Sequence, residues 1–315
     1  MKIVILDGYA LNPGDLSWDF LKEFGTVTYF DRTTGEDLTV SRIGDADIIL
    51  LNKTAITESV LCRCPNLKLI CILATGYNVV DCAAAAKRGI PVCNIPGYGT
   101  DSVAQFTFAL LLELCHQIGI HDRSVHNGDW TACPDFCYWK TPQMELSGKT
   151  MGIIGYGSIG QAVSKIARAF GMKTLAYSRT HHPSHEYCDL DALLKNSDVV
   201  TLHCPLFPET KGLINAETIA KMKDGAILLN TARGPLIDEA AVAEALRSGK
   251  LRGAAMDVVC SEPIPANSPL LSAPNCILTP HMAWAPIEAR QRILDIVTGN
   301  IRGFLTGSPQ NVVNM

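Results

Sequence analysis

No apolar run in this chain is long enough to cross a bilayer. The stretch Phe108 to Leu112 stops at Glu113, far short of the roughly 20 residues a spanning helix needs. The opening Met1-Lys2-Ile3-Val4-Ile5-Leu6-Asp7 is cut short by an acid and lacks the small-residue cleavage site of a secretory leader. A surplus of positive charge is also missing. Lys and Arg total 27 against 31 Asp and Glu, a net charge of −4, so nucleic acid and anionic membranes are poor partners. Internal repeats and low-complexity linkers are absent, and Pro265 to Pro269 reads as a rigid surface loop. A soluble, cytoplasmic protein with a small-molecule partner is the expectation.

The twelve cysteines lack the pattern of a disulfide scaffold or a zinc site. Disulfide scaffolds are small and core-poor, whereas Cys71, Cys93 and Cys276 sit inside apolar runs, where cysteine behaves as a small hydrophobe. Cys62 with Cys64, and Cys133 with Cys137, have no second matching pair. His181, His182, His185 and Cys188 form a denser cluster, which reads as a solvated loop rather than a metal site. The expected metal content is none.

What is present is core-forming material: 315 residues, 47% apolar and 18% charged. Short apolar runs at Lys2–Leu6, Val27–Phe30, Ile48–Leu51, Leu69–Leu73 and Pro91–Asn94 alternate with helical spacing. This alternation predicts a parallel α/β sheet. A buried helix is expected from about Asp101, with Ser102 and Gln105 at the spacing of a capping box. A second set of strands follows at Met151–Ile154, Lys173–Tyr177, Val199–Leu202, Ile227–Leu229, Ala254–Met256 and Ile277–Leu278. Its size matches one doubly wound dinucleotide fold. A last helix is expected over Pro286 to Leu305.

The strongest local signal is Gly155-Tyr156-Gly157-Ser158-Ile159-Gly160. Alone, this glycine spacing is weak evidence, but here it leaves an apolar strand and opens a helical pattern. Gly155 permits a tight turn, Gly157 lets backbone approach a pyrophosphate, and Gly160 lets helix and strand pack closely. The free N–H groups of the helix start then face the anion. At the end of the next strand, an Asp or Glu would bind the ribose 2′-hydroxyl and select NAD. Here Ser178 and Arg179 stand there instead, and an arginine can pair with a 2′-phosphate. NADP is therefore favoured over NAD, with NAD kept open.

Ligands in open α/β sheets sit at the carboxyl ends of strands. Those ends carry His203-Cys204-Pro205, Thr231-Ala232-Arg233-Gly234, Asp257 with Glu262 beyond it, and His281-Met282-Ala283-Trp284. Reducing a 2-oxo acid needs a cation to hold the carboxylate and polarise the carbonyl, which suits Arg233. It also needs an acid for the nascent alkoxide, which suits His281. A carboxylate such as Glu262 would orient that imidazole and favour its protonated form. Asp257 is a candidate to hold the nicotinamide ribose or carboxamide.

The glycine turn, Thr231-Ala232-Arg233-Gly234, Met256-Asp257-Val258 to Glu262-Pro263, and Pro280-His281 together resemble the D-isomer-specific 2-hydroxyacid dehydrogenases. The likeness extends to Ala74-Thr75-Gly76-Tyr77-Asn78 and Val103-Ala104-Gln105, and so covers nearly the whole chain. It implies a Rossmann-type dinucleotide domain, residues 100–286, inserted into a smaller flavodoxin-like substrate domain, residues 1–99 and 287–315. It further implies a homodimer with its active site in the cleft between domains. By resemblance, Arg233 binds substrate, Glu262 supports His281, and His281 is the acid/base. Backbone N–H groups around Ala74, Thr75 and Gly76 would hold the substrate carboxylate. Ser158, Ile159, Ser178, Cys204, Thr231, Asp257 and Ala283 map onto cofactor contacts, with Pro205 and Ala232 beside them. Glu262 argues against the similar formate dehydrogenase branch, which carries glutamine there.

Three stretches look like the glycerate dehydrogenase, or hydroxypyruvate reductase, branch: Gly8 to Asp15, Asp135-Phe136-Cys137-Tyr138-Trp139, and His281 to Ala285. Trp139 and Trp284 are candidate walls for a small polar substrate or core and dimer-packing aromatics, and in related reductases a tryptophan of this region comes from the partner subunit. The expected activity is reduction of hydroxypyruvate or glyoxylate to D-glycerate or glycolate. Phosphoglycerate, lactate or 2-ketogluconate-type dehydrogenases are alternatives, as is a nicotinamide-sensing corepressor-like binding protein.

Overall fold

The structure, a computed structural model, describes residues 1–179 and 187–315. The histidines at 181, 182 and 185 lie outside the described residues. Contacts divide the chain into two compact units, Met1–Tyr98 with Ala285–Met315, and Gly99–Trp284.

The first unit holds β1 (Lys2–Ile5), β2 (Thr26–Tyr29), β3 (Ile48–Leu51), β4 (Leu69–Ile72) and β5 (Val92–Cys93). They form one parallel sheet in the order β2-β1-β3-β4-β5, the doubly wound order of flavodoxin-like folds. β3 and β4 are buried at every position, which explains why their sequences are continuous apolar runs rather than alternating ones. Helices α1 (Glu36–Ile43), α2 (Glu58–Arg63) and α3 (Cys82–Lys87) connect the strands. Thr57 and Asp81 cap α2 and α3 by accepting backbone N–H bonds. The C-terminal helix, Ile287–Leu305, belongs to this unit and buries Ile293, Leu294, Val297 and Ile301 along one stripe. Within it, Arg290 binds both carboxylate oxygens of Asp15 at 2.7 and 2.6 Å.

The second unit begins with α4 (Thr100–His116) and α5 (Ile118–His126), broken at Gln117, whose φ is +47°. The expected capping box does not form. α4 starts at Thr100 after Gly99, so Ser102 already lies inside the first turn and cannot cap it. Six parallel strands follow: β6 (Thr150–Ile154), β7 (Lys173–Tyr177), β8 (Val199–Leu202), β9 (Ala226–Asn230), β10 (Leu251–Met256) and β11 (Cys276–Leu278). Their order is β11-β10-β9-β8-β6-β7. Tyr187, outside the named strands, adds an isolated parallel bridge to Ala176 of β7. Helices α6 (Ser158–Ala169), α7 (Leu190–Asn196), α8 (Ala216–Lys221) and α9 (Glu239–Arg247) complete the winding. One core packs α4 and α6 against the sheet through Phe108, Leu111, Val163 and Ala167. Another packs Leu194, Ile219, Val242 and Leu246 on the sheet. No single helix among the described residues is long and apolar enough to cross a membrane.

Candidate active site

Strand order reverses between β6 and β8, and ligands in such sheets collect at that switch point. The glycine turn occupies it. Gly155 has a φ of +95°, and a Cβ there would lie 2.4 Å from the backbone nitrogen of Cys204. Gly160 is equally constrained, because a Cβ would meet the carbonyl oxygen of Gly155 at 2.2 Å. Gly157 differs: a Cβ there would have nothing within 4 Å. The two outer glycines close the turn, and the central one leaves open space at the start of α6. Gly157 is the N-cap of α6 and makes no side-chain capping bond, and the amide groups of Ser158, Ile159 and Gly160 are first-turn donors, for which a helix supplies no carbonyl four residues back. A close turn, a cleared approach and a helix start fit a dinucleotide pyrophosphate.

Around the turn, Ser178 is half-buried and Arg179 exposed at the end of β7. Cys204 and Pro205 follow β8. Burial pushes the Cys204 thiol up, away from reactive thiolate. Next to Cys204, burial pushes His203 down to about 3. Its Nε2 meets Thr201 Oγ1 at 2.9 Å, and its buried Nδ1 has no partner among the described residues.

Arg233 is placed by the end of β9. The fully buried Asn230 accepts the Ala232 N–H at 3.0 Å and donates to the Arg233 carbonyl at 2.9 Å. Thr231 is buried, with its hydroxyl 3.1 Å from that of Thr107 on α4. This clamp leaves the Arg233 side chain exposed, with Nη1 donating to the Ala232 carbonyl at 2.7 Å. Gly234 lies flat against the loop after β10, since a Cβ there would sit 1.9 Å from the carbonyl oxygen of Val259. Glu262 sits three residues further along that loop, and its Oε1 accepts the Val259 N–H at 3.4 Å.

His281 follows β11 in a turn with an unusual backbone, φ +53°. Such a conformation costs a non-glycine residue about 1–3 kcal/mol and persists only where its surroundings impose it. They do so here. Asp257, only 1% exposed, accepts the Thr279 hydroxyl at 2.6 Å and the Met282 and Ala283 N–H groups at 2.9 Å each. Trp284 donates its indole N–H to the His281 carbonyl at 2.8 Å. The His281 Nδ1 lies 2.7 Å from Glu262 Oε2. A carboxylate only accepts, so Nδ1 carries a hydrogen and Nε2 is the ring nitrogen left for other chemistry.

The structure thus brings Glu262 and His281 into contact and sets the Arg233 turn against the loop that carries Glu262. Three of the roughly four acceptor positions of Asp257 serve the His281 turn, a duty that strand-end reasoning missed. Trp284 braces that same turn from within, while Trp139 is 69% exposed. In the first unit, the Ala74-Thr75-Gly76 turn after β4 is tied to the end of β5. The Thr75 hydroxyl donates to the Ile95 carbonyl at 2.7 Å, and Asn94 donates to the Thr75 carbonyl at 2.8 Å. All twelve cysteines are free thiols, and no cluster of three metal-ligating side chains exists among the described residues.

Comparison with known proteins identifies the family. Residues 108–283 match the family model for the NAD binding domain of D-isomer specific 2-hydroxyacid dehydrogenases. The chain is 56% identical to the hydroxypyruvate reductase of Blautia hydrogenotrophica, over 100% of both chains. It is 43% identical to the glycerate dehydrogenase of Methylorubrum extorquens, over 99% of this chain and 98% of that one. Among solved structures, the TT0316 protein of Thermus thermophilus superposes with a TM-score of 0.87 at 37% identity, covering 99% of this chain and 100% of that one. With a dinucleotide turn, a histidine–carboxylate pair and an arginine carried on the rim of one parallel sheet, and with likeness along its whole length, the chain belongs to the D-isomer specific 2-hydroxyacid dehydrogenase family.

Proposed function

We propose that the protein reduces hydroxypyruvate, and its shorter analogue glyoxylate, to D-glycerate and glycolate, with NADPH preferred over NADH. The 2.7 Å contact between His281 Nδ1 and Glu262 Oε2 carries the reading. It leaves Nε2 as a proton donor on a ring whose orientation is set. When bound, the reduced nicotinamide supplies a hydride to C2 of the oxo acid. The His281 Nε2 hydrogen passes to the carbonyl oxygen as it becomes an alkoxide. The hydride forms the new C2–H bond and the proton completes the hydroxyl, and Glu262 balances the imidazolium that precedes the transfer. The Arg233 guanidinium binds the carboxylate and polarises the carbonyl. The backbone donors of Ala74, Thr75 and Gly76 are read as a second carboxylate-holding element. Names of relatives at 56% and 43% identity support the choice of substrate, and Ser178 with Arg179, in place of an acid, supports the choice of cofactor.

The same reading makes the protein a homodimer. Trp130, Phe136 and Trp139 are 51%, 88% and 69% exposed, yet the loop that bears them is pinned. Ser124 donates to Asp129 at 2.6 Å and meets the Tyr138 hydroxyl at 2.8 Å, and Lys140 bridges to Asp129 at 2.6 Å. An ordered loop presenting this much aromatic surface fits burial against a second copy.

Initial rates with hydroxypyruvate, glyoxylate and pyruvate, each with NADH and NADPH, test the proposal. The expected ranking puts hydroxypyruvate with NADPH first, and His281→Ala or Arg233→Ala loses about two to four orders of magnitude in kcat/KM. Near-normal turnover in either variant would refute the site. Tight nicotinamide binding without turnover of any 2-oxo acid would identify a sensor instead.

A further inference from the structure

Arg179, at the end of β7, is exposed but not unsupported: its Cζ lies 4.5 Å from the centroid of the Phe207 ring. Phe207 is not a core residue, with 37% of its surface exposed, yet its backbone is firmly held. Its N–H donates to Thr210 Oγ1 at 2.7 Å, and that hydroxyl donates to the Pro205 carbonyl at 2.9 Å. The Phe207 carbonyl accepts N–H bonds from Thr210 and Lys211 at 3.1 and 3.0 Å. Prolines at 205 and 208 stiffen the segment further. This segment starts at Cys204, whose backbone the glycine turn presses against. Ring, guanidinium and dinucleotide turn are therefore parts of one construction.

Stacking on a ring uses the face of a guanidinium and leaves its in-plane N–H fork free. An arginine also has much rotamer freedom to lose when it binds an anion, and a preformed support removes part of that loss beforehand. We infer that Phe207 is a positioning residue for cofactor choice: its ring holds Arg179 ready to receive the 2′-phosphate of NADP. The inference rests on the NADP reading above and adds a residue to it. In this role Phe207 acts through Arg179.

Calorimetric titration of the full-length protein with 2′,5′-ADP and with 5′-ADP separates the two ideas. Wild type is expected to bind 2′,5′-ADP more tightly. In Phe207→Leu, the Kd for 2′,5′-ADP is expected to rise about three- to fivefold more than that for 5′-ADP, the range of an exposed cation–π contact. Phe207→Tyr keeps the wild-type ratio, because the ring remains. A wild type without preference would remove both the NADP reading and the inference. A wild-type preference that Phe207→Leu leaves intact, or a loss equal for both nucleotides, would overturn the inference alone.

Discussion

Replacing Gly157 by alanine is expected to leave the fold in place and empty it of cofactor. Gly157 has φ −75° and ψ −164°, which alanine adopts freely, and its added Cβ would meet nothing within 4 Å. A glycine-to-alanine change at a compatible position stabilises by about 0.4–1 kcal/mol, so the ligand-free Tm should stay level or rise slightly. Ligand linkage reports the binding loss. At a nucleotide concentration of 100 times Kd, wild type gains about 2.7 kcal/mol, a Tm rise of about 5–10 °C for a domain of this size. If the methyl group raises Kd about a hundredfold, the same concentration yields only about 0.4 kcal/mol. Gly155→Ala is the opposite case. Its φ of +95° and the 2.4 Å approach to the Cys204 backbone penalise the ligand-free protein by about 2–4 kcal/mol, lowering Tm by about 5–15 °C. Thermal unfolding of wild type and both variants, with and without NADPH, is the assay. A full ligand-induced shift in Gly157→Ala, or a wild-type Tm in Gly155→Ala, would refute the reasoning.

Three further outcomes are expected. Glu262→Gln keeps an acceptor for His281 but loses the charge, and Glu262→Ala loses both. A hydrogen bond to a charged group contributes about 1.5–3 kcal/mol, so kcat should fall at least about tenfold in both variants, further in alanine, with little change in Tm. Equal, wild-type rates would show that the 2.7 Å pair is idle. Trp284→Phe removes the indole bond to the His281 carbonyl, and steady-state kinetics should show a several-fold loss of kcat, matching about 1 kcal/mol; an unchanged kcat would mean Asp257 alone sets the turn. Burial holds His203 neutral, down to about 3 from an ordinary 6.5. Its folded-state value lies below its unfolded one, so the contribution is complete above about 6.5 and is lost as pH falls toward 3. Urea midpoints measured across that window should decline more steeply in wild type than in His203→Gln, and parallel declines would contradict the assignment.

The strands were legible because β3, β4, β8 and β9 are buried on both faces, which demands continuous apolar runs that no helix of this length needs. The glycine turn was legible because its context, strand before and helix after, is local. The capping box misled because Ser102 and Gln105 carry the right spacing whichever residue begins the helix, and the N-cap of α4 is Gly99, three residues before Ser102. Glu262 and His281 are 19 residues apart, and no spacing rule joins them; only the convergence of strand ends suggested a meeting. The grip of Asp257 on the His281 turn, the close approach of Gly234 to Val259 and the stacking of Arg179 on Phe207 left no sequence signal. Each is a tertiary contact between residues whose types suit several surroundings.

The missing side chain at position 234 has a mechanical meaning. With no Cβ to keep them apart, the turn bearing Arg233 and the loop bearing Glu262 rest directly on each other's backbones. In its proposed role, Arg233 holds substrate from a turn whose backbone lies against the loop of the acid beside the imidazole. The proposed grip on the carboxylate and the proposed aim of the proton share one backbone seam, so a ligand that seats the first badly is expected to be poorly served by the second.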